Sequence, residues 1–88
     1  MNEYDYLKQA EGLEINQVED GFIIYDPAKD SVHFLNPSAV FVLELCNGRH
    51  ETAEILTIVR EAYGLEETPE KEILDALTRL RNEGLIAA

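Results

Sequence analysis

The chain has 88 residues, 45% hydrophobic and 28% charged, and a net charge of −11 from 18 acids and 7 bases. One domain of this length buries roughly 60–65% of its unfolded surface, which leaves little room for a deep substrate pocket of ~300 Å³ or more. The composition is too apolar for disorder, and the longest apolar run, Ala39 to Leu43, stops at Glu44, far short of a membrane span.

The opening Met1-Asn2-Glu3-Tyr4-Asp5 is acidic and polar, unlike a secretory signal. With one cysteine, Cys46, an internal disulfide is excluded and no metal cluster is suggested. These features fit a cytoplasmic protein with a small buried thiol. The acids flank a nearly neutral middle: residues 1–31 hold 8 acids and 2 bases, 32–50 one of each, and 51–88 hold 9 acids and 4 bases. Such a balance repels nucleic acid and anionic lipid. Duplex binding, which takes ~6–10 phosphate contacts, would need nearly every base on one face.

Residues 1–12 carry Tyr4, Tyr6 and Leu7 among charges without a clean period. They read as a frayed, flexible N-terminal segment, with the folded domain at 13–88. Leu13 to Val18 alternates weakly and ends before Asp20-Gly21, a pair suited to a type I′ hairpin. Phe22 to Tyr25 is β-branched and aromatic, and Asp26-Pro27 opens a type I turn. Ser31 to Leu35 completes a meander, with Val32 and Phe34 on one face and His33 and Leu35 on the other.

The pattern then turns helical. Asn36 is a good N-cap and Pro37 a good first helical residue; Ala39, Val40, Leu43 and Cys46 form the stripe, and Asn47-Gly48 ends it. A second helix starts at Thr52, with Ile55, Val59, Ala62 and Tyr63 inward and Gly64 closing it. A third opens on Thr68-Pro69-Glu70 and runs through Ile73, Leu74, Leu77 and Leu80 to Gly84, with Leu85 and Ile86 folding back in a Schellman ending. Three antiparallel strands followed by three helices make an α+β fold with the helices on one sheet face.

No phosphate loop, dinucleotide fingerprint, zinc-protease motif or nucleophile elbow is present. His33 and His50 belong to different elements. Glu66, Glu67, Glu70 and Glu72 crowd a helix entrance, where negative charge is favoured without any catalytic role. Nothing supports catalysis, a metal or a cofactor.

Two features suggest binding instead. The third helix has an apolar arc of about 160°, wider than the ~100° a core-facing helix needs. Along one edge runs a stripe of Lys71, Leu74, Thr78 and Arg81, either snorkelling cations beside a wide core contact or one wall of a groove. The last strand has an unpaired margin without Pro or Lys to blunt it. It is either a short harmless edge or a template for an added strand, whether a guest peptide or a second copy in a homodimer.

With these residues in view, the chain resembles the PqqD-like family of peptide-recognition domains. The likeness rests on Asp20-Gly21 before a strand, Leu35-Asn36-Pro37-Ser38-Ala39 at the strand-to-helix step and Leu45-Cys46-Asn47-Gly48 closing the first helix. Thr52-Ala53-Glu54-Ile55 and Leu77-x-x-Leu80-x-x-x-Gly84-Leu85-Ile86 complete it. It spans about Leu13 to Ile86; Asn47 stands where many relatives have Asp, and residues 1–12 fall outside the pattern.

The resemblance implies a winged-helix-like domain that binds the leader of a ribosomally made precursor peptide between the third strand and the third helix. It also implies presentation to a modifying enzyme, often a radical SAM protein. Carried onto this chain, it implies backbone pairing by Ser31, Val32, His33, Phe34 and Leu35, and side-chain contacts from Lys71, Leu74, Thr78 and Arg81. The competing expectations are a winged-helix nucleic-acid binder, which the charge opposes, and a regulatory subunit that docks on an enzyme without binding peptide.

Overall fold

The computed structural model describes residues 6–87. Its elements in chain order are β1 (Lys8–Gln9), β2 (Glu14–Val18), β3 (Gly21–Asp26), β4 (Ser31–Leu35), α1 (Pro37–Leu45), α2 (Thr52–Ala62), α3 (Glu70–Asn82) and β5 (Ile86–Ala87). Strands β2, β3 and β4 form an antiparallel meander in that order, followed by three helices: an α+β fold. A second, two-stranded sheet pairs β1 with β5, Lys8 opposite Ala87 and Gln9 opposite Ile86.

Helix α1 starts where the sequence places it. Asn36 is extended, its side-chain oxygen accepts from the Ala39 amide at 2.8 Å, and Pro37 follows as the first helical residue. Helix α2 is capped by Glu51, whose amide donates to Glu54 Oε1 at 3.0 Å. Helix α3 begins one residue later than Thr68-Pro69 suggests, with Pro69 itself at the cap. Its end is a Schellman turn: Leu85 N–H reaches Leu80 O at 2.9 Å and Gly84 N–H reaches Arg81 O at 3.0 Å. Gly84 makes this turn at φ +76°, a conformation costly for other residues.

The meander's first turn differs from the expected one. Val18 pairs with Gly21, so the two-residue loop is Glu19-Asp20 rather than Asp20-Gly21. Neither loop residue has positive φ, which excludes a type I′ turn. Gly21 serves close approach instead. A methyl there would lie 2.5 Å from Leu35 O and 2.9 Å from Phe34 Cζ, so the Phe34 ring covers the gap a side chain would fill.

The core joins the inner sheet face (Ile24, Leu35) to α1 (Val40, Val42, Leu43, Cys46), α2 (Ile55, Val59) and α3 (Ile73, Leu77, Leu80), closed by Leu85 and Ile86. Expected inward residues Ala62 and Tyr63 are exposed, and Tyr63 instead meets the Phe41 ring edge-on at 5.8 Å.

The expectation of a frayed segment fails for residues 7–10. Leu7 is completely buried in the core, and backbone bonds run from Gln9 N–H to Cys46 O, Ala10 N–H to Leu85 O and Gly48 N–H to Leu7 O. Tyr4 and the rest of residues 1–5 lie outside the described residues, as does residue 88. Among the described residues no helix is long and apolar enough to cross a membrane.

Candidate functional site

The register decides which backbone groups β4 presents outward. In the hairpin closed by Val18 and Gly21, that pair exchanges both hydrogen bonds, and bonded and non-bonded pairs then alternate. Gly21, Ile23 and Tyr25 therefore bond towards β2, leaving Phe22, Ile24 and Asp26 to bond β4. Their partners Leu35, His33 and Ser31 face inward, whereas Val32 and Phe34 turn both N–H and C=O away from the sheet. The Phe34 carbonyl does point outward: Arg79 Nη2 donates to it at 3.1 Å. Four outward groups thus line this edge, one of them occupied among the described residues.

Helix α3 runs alongside. It packs on α1 rather than on the β4 backbone, so long side chains bridge the gap. Arg79 also donates through Nε to Glu83 Oε2 at 2.9 Å, and Glu83 Oε1 lies 3.1 Å from His33 Nδ1. Lys29 Nζ, in the β3–β4 turn, reaches Gly84 O at 3.4 Å and closes one end of the seam.

Among the described residues, three buried side-chain polar atoms lack a hydrogen bond. Two of them, His33 Nε2 and Glu83 Oε1, sit in this seam, where Glu83 Oε1 is satisfied once His33 Nδ1, 3.1 Å away, carries a proton.

The strand half of the expected site is coherent. Ser31, Val32, His33, Phe34 and Leu35 form one edge strand, with Val32 62% and Phe34 47% exposed on the outer face. They join Ile23 and Tyr25 there, since residues opposite one another across the ladder share a face.

The helix half needs correction. Arg79 and Glu83 mark the side of α3 that meets β4, and at about 100° per residue Glu72 and Ala76 share it. Lys71, Leu74, Thr78 and Arg81 lie about 100° or more around the helix from that side. The wide apolar arc has two edges; the Ala76 edge adjoins β4 and the Leu74 edge does not. A small residue flanked by Glu72, Arg79 and Glu83 was the signal available in the sequence, because alanine beside long side chains leaves a trough.

Elsewhere the surface offers little chemistry. One open cleft of about 290 Å³, lined by Phe22, Pro37, Val40, Phe41, Glu44, Ala62 and Tyr63, contains a single carboxylate. Another of about 300 Å³ is formed by Ala53, Glu54, Thr57 and Ile58. Among the described residues no group of three or more His, Cys, Asp or Glu is arranged to hold a metal ion.

Cys46 is fully buried, and loss of hydration pushes its thiol from 9.0 up to about 12. The thiolate is the reactive species, so alkylation of the folded protein at pH 8 should be at least ~100-fold slower than in denaturant. A rate within threefold in the two conditions would mean the thiol is accessible. Because the unfolded thiol ionises near 9.0 and the folded one near 12, Cys46 leaves stability intact below pH 9 and lowers it as pH rises above that.

Comparison with known proteins supports the fold. The sequence model described as "Coenzyme PQQ synthesis protein D (PqqD)" matches residues 21–86. No curated protein matches the sequence. Among solved structures, "Lasso peptide synthetase B1 complexed with the leader peptide" is similar in fold, with a TM-score of 0.73 at 19% identity. The alignment covers 94% of this chain and 99% of that one. With more than half of its length matched, from the glycine that opens β3 to the first residue of β5, the chain belongs to the PqqD family.

Proposed function

We propose that this protein is a non-catalytic recognition protein that binds the leader of a ribosomally made precursor peptide and holds it for a modifying enzyme. The observation that carries this reading is the β4 edge, whose outward Val32 and Phe34 groups face a seam along α3. Strand addition there supplies up to four backbone hydrogen bonds, at ~1 kcal/mol net each. Apolar contacts with Val32, Phe34 and Ala76 add to them. Family membership supports the role, as does the fold shared with a synthetase component solved with its leader peptide.

A radical SAM enzyme in the cytoplasm is the partner we favour, on the family likeness. A nucleic-acid role fits poorly: the β4-facing side of α3 carries Glu72 and Glu83 against one arginine, on a chain of net charge −11.

Titrating a precursor leader peptide into isotopically labelled protein tests the proposal. Amide shifts should concentrate in residues 31–35 and around Ala76, Arg79 and Glu83. Shifts confined to α2 would place the peptide elsewhere and remove the strand-addition reading.

A further inference from the structure

We infer that Arg79 is a latch on the β4 edge and selects the guest: a strand that binds there must displace its guanidinium from the Phe34 carbonyl and offer it a carboxylate. This rests on the strand-addition reading and adds a chemical requirement to it.

Of the two outward carbonyls on β4, that of Val32 is open among the described residues and that of Phe34 holds Arg79 Nη2 at 3.1 Å. A guest amide needs that oxygen along the line of the sheet. With the guest backbone ~4.8 Å away, a planar guanidinium does not fit between the strands. Arg79 must therefore swing out of the sheet line.

Its Nε donates to Glu83 Oε2 at 2.9 Å, and this pairing favours keeping the released Nη groups beside the edge, on the α3 side. There they face whichever guest side chains point towards α3. Alternation puts the guest residue opposite Phe34 on the outer face, so its two sequence neighbours point at Arg79. A guanidinium stripped of its carbonyl and covered by a guest strand is left with unmet donors, and a carboxylate matches their planar fork.

Two charges oppose the pairing. Glu83 already offsets part of the Arg79 charge, and the net charge of −11 repels an acidic guest at long range. The second effect is screened beyond ~8 Å at physiological salt, whereas the Arg–carboxylate contact is local.

The test is selection of random short displayed peptides against the wild-type protein, Arg79→Glu and Arg79→Leu. Only clones that shift the Val32 and Phe34 amides are kept for comparison. Wild-type protein should enrich Asp or Glu roughly three- to tenfold at one of the two positions flanking the guest residue opposite Phe34. Arg79→Glu should enrich Lys or Arg at that same position, and Arg79→Leu should show no charge preference.

Identical sequences from all three proteins, or acid enrichment that survives in Arg79→Leu, would overturn the latch and leave strand addition standing. If no clone from any protein shifts those amides, strand addition falls and the latch with it. Circular dichroism checks folding, and Arg79→Leu carries the comparison if the Glu variant does not fold.

Discussion

Val32→Pro is expected to weaken leader-peptide binding by roughly 10- to 100-fold while leaving the fold intact. Proline lacks an N–H and carries a ring in its place. At most strand positions this would break a ladder bond, but the Val32 amide points away from β3. The substitution therefore removes one donor offered to a guest, worth ~1 kcal/mol, and places a ring where the guest backbone must approach. Edge strands tolerate proline for this reason, and natural sheets use it to blunt an edge. Fluorescence anisotropy with a labelled leader peptide gives the affinity, and a thermal melt checks the fold. Undiminished binding in a folded variant would show that the guest does not pair with β4.

The second large effect lies far from the seam. Leu7→Ala should cost about 2–5 kcal/mol, as expected for a fully buried leucine whose cavity closes only in part. Against a total stability of ~5–15 kcal/mol this is a severe loss. Urea denaturation should show a lower midpoint with an unchanged slope. A loss below ~0.5 kcal/mol would mean that the segment around Leu7 is not docked in solution. The prediction has force because Leu7 precedes residues 21–86, the part of the chain matched to the family.

Leu7 also shows where sequence reading runs out. The strand that follows it, β1, is two residues long, too short to show a period, and its partner β5 comes 77 positions later by the pairing of Gln9 with Ile86. Only tertiary structure joins them. By contrast, Asn36-Pro37 and Gly84-Leu85 carry their meaning locally, through a missing amide, a capping oxygen and a left-handed turn, and both helix ends fall as expected.

Asp20-Gly21 misled because a glycine after an aspartate has two physical uses. It can supply positive φ, or it can make room, and here the room is filled by the Phe34 ring. The α3 stripe misled for a different reason. Periodicity shows that an arc is wide, but not which of its edges meets the sheet; that follows from how α3 seats on α1. The edge strand, Ser31 to Leu35, was legible residue for residue. The side of α3 that faces it was not.

The antiparallel pairing of β1 with β5 has a geometric consequence for tethering. Lys8 and Ala87 stand across from one another at strand spacing, ~5 Å. A short cross-link between side chains at positions 8 and 87 would therefore close residues 9–86 into one loop without moving either strand.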